Sequence, residues 1–95
     1  VKLKITNQAG QWYKDEFDID DRSYQRFFVR YGGFGGRIPG FSLGLGNDVP
    51  EDIYASCDVA GITFYIENKD AWYFDGQDLS ITLDEKTKEP KFHYN

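Results

Sequence analysis

Few side chains in this 95-residue chain are of a type that does chemistry, and they are scattered. Its one cysteine, Cys57, sits between Ser56 and Asp58. A thiolate is a nucleophile and a soft metal ligand, but no basic residue adjacent in sequence favours that form here. We read Cys57 as a small strand side chain. The one histidine, His93, stands between Phe92 and Tyr94. It lacks the cysteine or acidic partner that a metal site or a proton relay would need, and its period places it on a solvated face. Asp75 and Asp78 surround Gly76-Gln77. Two carboxylates at that spacing suit a hard cation or acid–base work, but Asp-Gly is equally a turn dipeptide, and the turn is the simpler reading. No nucleophile–base pair, metal-ligand spacing or cofactor motif occurs. The expectation is a non-enzyme with no catalytic residue, no metal site and no cofactor.

The remaining candidates are cationic and aromatic. Arg22, Arg26, Arg30 and Arg37 all fall in one short segment, directly after the acidic run Asp15, Glu16, Asp18, Asp20, Asp21. Arg26 and Arg30 share a strand face, and Arg37 follows. Together they would suit a small anion or an acidic peptide. Alternatively they pair with Asp15–Asp21 as a solvated network worth little to stability. Between two alternating apolar runs lies a linker with Gly32, Gly33, Gly35, Gly36, Pro39 and Gly40. It matches neither dinucleotide nor P-loop spacing, so a nucleotide site is not expected. Phe34, flanked by these glycines, either packs inward or serves as an anchor for a partner. The candidate binding residues are therefore Phe34, Arg26, Arg30 and Arg37.

What positions them is one small domain, residues 1–95. Eight Phe, seven Tyr and two Trp must supply most of its core. The net charge of −5, from 16 acidic and 11 basic residues, argues against nucleic acid as a partner. No membrane partner is expected either, because the apolar run Ile62–Ile66 is too short to span a bilayer. With a single cysteine and no apolar leader in VKLKITNQ, the expected location is the cytoplasm.

Along the chain, Lys2–Ile5 predicts a first strand. Thr6 predicts a helix N-cap, with Ala9, Trp12, Tyr13 and Phe17 at helical spacing and an end in Asp18–Asp21. Gly10 weakens that helix by about 1 kcal/mol against Ala. From Tyr24 the period becomes two, with Gln25, Phe27, Val29 and Tyr31 facing one way and Tyr24, Arg26, Phe28 and Arg30 the other. Phe41, Leu43 and Leu45 make a second strand, followed by turn signals over 46–52. Further strands are expected at Ile53–Val59, Ile62–Ile66, Leu79–Leu83 and Lys91–Tyr94, with about one helical turn in Lys69–Phe74. The class is α+β with a mostly antiparallel sheet.

This order resembles the HesB-like family, the fold of the A-type iron–sulfur carriers. RFFVRYGGFGG stands where that family runs a strand into a glycine-flanked cysteine. FSLGL, VAGITFYIENKDAWYFDGQDLSITLDE and KFHYN are similar to its following strands. The resemblance implies a β-sandwich or flattened barrel of mostly antiparallel strands with one N-terminal helix. Three thiolates carry the carriers' cluster chemistry, one in the linker and two in a Cys-Gly-Cys. Here the linker position is Phe34, and no Cys-Gly-Cys occurs up to Asn95. The implied function is an accessory or binding role in iron–sulfur cluster biosynthesis, without cluster ligands of its own and with a protein partner. A homodimer stays open. The alternative is a module for a small anionic ligand or acidic peptide, using the arginines and the glycine loop.

Overall fold

The structure is a computed structural model and describes residues 1–33 and 36–95. Thr6 is extended and its hydroxyl accepts the Ala9 N–H at 3.2 Å, which starts helix α1 (Asn7–Glu16). The helix stops at Phe17, before the acidic stretch, because the Phe17 N–H closes on the Tyr13 carbonyl and Asp18 turns left-handed at φ 51°. Ala9, Gly10 and Tyr13 form its buried face, while Phe17 is largely exposed.

Seven strands occur among the described residues: β1 (Leu3–Ile5), β2 (Tyr24–Tyr31), β3 (Phe41–Asn47), β4 (Ile53–Val59), β5 (Ile62–Glu67), β6 (Leu79–Leu83) and β7 (Pro90–Tyr94). A 3-10 helix, Asn68–Tyr73, follows β5. One sheet has the order β1-β6-β7 and the other β3-β2-β5-β4. Three of the five ladders are antiparallel, but β1–β6 and β2–β5 run parallel, so both sheets are mixed. The fold is a compact α+β arrangement.

Aromatic rings join its layers. Tyr13 of α1 meets Phe27 edge-on at 5.8 Å and Phe64 at 5.7 Å; Phe27 stacks on Phe64 and meets Phe92 of the other sheet at 6.0 Å. Burial holds the Tyr13 phenol well above its ordinary value near 10. Its proton is thus held more tightly in the folded chain than in the unfolded one. That stability is full below about pH 10 and is lost as pH rises further, at up to about 1.4 kcal/mol per pH unit. Urea unfolding at a series of pH values above 10 should show this slope, and Tyr13→Phe should lessen it, the remainder coming from Tyr94 and Tyr65, whose phenols burial also raises.

Gly10 corrects an expectation from propensity alone. A Cβ there would lie 2.8 Å from the Val59 Cγ1, a branched side chain on β4 with little freedom to yield. The helix approaches the sheet closely because it has glycine at this point. We therefore expect Gly10→Ala to lose about 1–2 kcal/mol, the overpacking exceeding the gain of about 1 kcal/mol in helix propensity. A rise in denaturation midpoint would show that Val59 yields freely.

The second sheet also buries part of its outer face. The link from β3 to β4, Asp48–Asp52, must pass from one edge of the sheet to the other. It does so over Arg26, which Asp48 meets at 3.5 Å, and is tied down by Glu67, whose carboxylate accepts the Glu51 and Asp52 N–H groups at 2.8 and 2.7 Å. Tyr65, Arg26 and Asp70 lie in this covered region.

Candidate functional site

The three candidate arginines have different partners. Arg26 meets the Asp70 carboxylate at 2.7 Å and lies over the Phe28 ring at 5.9 Å. Burial opposes its charge, but the hydrogen bonds and charges of Asp70 and Asp48 outweigh that and hold the guanidinium more firmly protonated. Arg30 is exposed, and its Nε donates to the Ser42 hydroxyl at 2.9 Å. Arg37 lies beyond the linker, where Nε donates to the Gln77 side-chain oxygen at 2.9 Å, Nη1 to the Tyr73 carbonyl at 3.0 Å, and Nη2 stands 3.7 Å from Asp75. Their acidic neighbours are thus Asp48, Asp70 and Asp75, not the Asp15–Asp21 run. In that run Asp21 pairs with Lys14, whose hydrogen bond and charge hold its carboxyl below the usual range. Phe34 lies outside the described residues.

The other sequence candidates have structural neighbours as well. Cys57 is half-buried on the inner face of β4, opposite Phe64. His93 Nε2 is 3.1 Å from the Thr82 hydroxyl. Asp75 and Gly76 both take positive φ in a turn, and the Asp78 carboxylate accepts the Lys2 N–H at 2.8 Å. Among the described residues, no group of three or more His, Cys, Asp or Glu could hold a metal ion. None of the described helices is long and apolar enough to cross a membrane.

A feature that sequence periodicity missed lies at the linker end of the sheet. Tyr31, which shares a strand face with Phe27 and Val29, is nevertheless 89% exposed because β2 runs past the core there. Its ring meets Phe41 edge-on at 5.7 Å, and Phe41 meets Trp72 at 5.5 Å. Trp72 is 54% exposed, whereas the next residue, Tyr73, is fully buried. The 3-10 helix turns one ring out and the next one in. The Tyr73 hydroxyl accepts the Arg37 N–H at 2.6 Å, which ties Arg37 to the 3-10 helix. Rigid, amphipathic rings of this kind have large contact area and lose little side-chain entropy on binding, which suits a protein partner. The sequence signal available was the Trp72-Tyr73 pair, which cannot both face inward on a short helical turn.

A protein of Bacillus subtilis (strain 168) named pyruvate dehydrogenase inhibitor is 43% identical over 94 residues, covering 99% of this chain and 99% of its own. Uncharacterized proteins of Staphylococcus haemolyticus and Staphylococcus saprophyticus are 30% and 31% identical, covering 85% and 90% of both chains respectively. No family model matches the chain, and no solved structure matches it. The full-length relative overturns the expected function in iron–sulfur cluster biosynthesis. A glycine-rich bend between strands reports backbone geometry, and a fold-level likeness does not carry a function with it. Arg26, Arg30 and Arg37 each make their hydrogen bonds to a different partner. By identity over nearly its whole length, the chain belongs to the family of the Bacillus subtilis pyruvate dehydrogenase inhibitor.

Proposed function

We propose that this protein is a non-catalytic inhibitor of pyruvate dehydrogenase, acting in the cytoplasm by binding the enzyme directly through its aromatic end. The observation that carries this reading is the 43% identity, over 99% of both chains, to a protein of that name. The exposed Tyr31–Phe41–Trp72 rings support direct binding, because they offer a preorganised apolar contact beside polar groups. We also propose that the architecture is HesB-like. The helix after the first strand and the strand–linker–strand segment at Tyr24–Asn47 support it.

The test is a titration of pyruvate dehydrogenase from Bacillus subtilis with the purified protein. Activity should fall in a saturable way and recover on dilution, as reversible occupancy requires. Undiminished activity at a large molar excess would overturn the proposal. Irreversible loss that grows with time rather than with concentration would point to covalent or proteolytic action instead.

A further inference from the structure

The sheet β3-β2-β5-β4 ends at β3, whose outer edge pairs with nothing among the described residues. The direction of its backbone groups follows from a few hydrogen bonds. The Gly32 N–H donates to the Gly40 carbonyl at 2.7 Å. By antiparallel alternation, Arg30/Ser42, Phe28/Gly44 and Arg26/Gly46 are then the bonded pairs. Two further bonds agree. The Phe41 N–H donates to Ile38 and not to β2, and the Thr63 N–H donates to Ser23, which turns the odd residues of β2 towards β5. Leu43, Leu45 and Asn47 therefore turn their N–H and C=O groups to the free edge.

The other sheet edges are guarded. β1 is three residues long and contains Lys4, β4 has a register shift near Ile53, and β7 carries Pro90 and Lys91. FSLGLGN has no lysine, proline or bulge. Beside it a cleft of about 390 Å³ opens between β3 and β7, with walls from Trp12, Phe17, Leu43, Leu45 and Phe92. Past Phe17 and Leu45 it adjoins a second hollow of about 280 Å³, lined by Asp18, Asp20 and Gln25. Gln25 is only 7% exposed, and its carboxamide has no protein partner among the described residues. Asp18, Asp20 and, on the first cleft, Glu89 have no basic partner there either.

We infer that β3 accepts an extended segment of the partner as a fifth strand of this sheet, with an apolar side chain in the Leu43–Phe92 cleft and a basic residue at Asp18 and Asp20. The inference rests on the inhibitor reading and names its surface. Main-chain bonds along the edge give such a strand its affinity, and pockets beside it give selectivity. β3 starts at Phe41 in the aromatic end and spans roughly 23 Å, so the added strand runs from those rings to the acidic rim. The occupant is a partner segment and not a second copy. FSLGLGN has no cation to offer the rim, and each copy carries a net charge of −5.

Amide hydrogen exchange on the full chain, free and with saturating Bacillus subtilis pyruvate dehydrogenase, tests this. The Leu43 and Leu45 amides should exchange fast in the free protein and at least tenfold more slowly in the complex. Asp18→Asn/Asp20→Asn should raise the concentration for half-inhibition at least tenfold with little change in Tm; asparagine tolerates the left-handed backbone at position 18. Full inhibition with these two amides exchanging as fast as in the free protein overturns the inference and leaves the inhibitor reading standing. Slowing that depends on protein concentration without the enzyme means a second copy fills the edge, which also overturns it. If the wild type does not inhibit at all, the functional reading itself fails, and this inference with it, before any exchange is measured.

Discussion

Arg26→Ala is expected to destabilise the protein by about 3–5 kcal/mol, the usual effect of breaking a buried ion pair from one side. The pair is well formed, with Nη2 2.7 Å from the Asp70 carboxylate and side-chain exposures of 14% and 11%. Removing the guanidinium leaves Asp70 desolvated at the start of the 3-10 helix. It also cuts the contact to Asp48 that holds the β3–β4 link over the sheet. Against a total of about 5–15 kcal/mol for a small domain, the loss is large. Among the described residues the Arg26 Nε and the Tyr65 hydroxyl are both buried without a partner, so the region already carries some polar strain. Removing both charges, as Arg26→Met/Asp70→Leu, should therefore cost much less than Arg26→Ala. Urea unfolding checks both: the midpoint should fall sharply for the single variant and recover in the double, with the slope unchanged. A single-variant loss under about 0.5 kcal/mol would mean that the pair behaves as a solvated one.

Trp72→Ala should have the larger effect on function. The ring is half-exposed and contacts Phe41 and Tyr73 edge-on, so its removal takes little from the core. As an interface anchor it should contribute about 2 kcal/mol or more, which raises the concentration for half-inhibition of pyruvate dehydrogenase roughly thirtyfold. Tyr31→Ala, removing a ring 89% exposed, should act in the same direction with almost no change in Tm. Inhibition curves and thermal melts on the same samples separate lost binding from lost folding. Curves that superimpose on wild type for both variants would move the docking surface away from this end.

The element order, the Thr6 cap, the alternation of β2, β3 and β5 and the turn at Asp75-Gly76 were all legible in the sequence. Each depends on residues within a few positions of one another, so local stereochemistry decides them. Even so, local rules took Gly10 for a simple weakness and read Gly46-Asn47 as turn where β3 continues. The acidic balance, the aromatic core and the absence of a catalytic motif also belong to the sequence alone. Only the tertiary structure decided that Arg26 finds Asp70, 44 positions away, in preference to the acids just before it. The same holds for the rings of residues 31, 41 and 72, which form one surface, and for β3, which is left as an open edge. Such pairings follow from strand order and register, and from a parallel β2–β5 ladder that no short-range pattern announces. Periodicity says which face of a strand is apolar; it does not say which strand lies beside it, and the candidate docking surface here is made of exactly those neighbours.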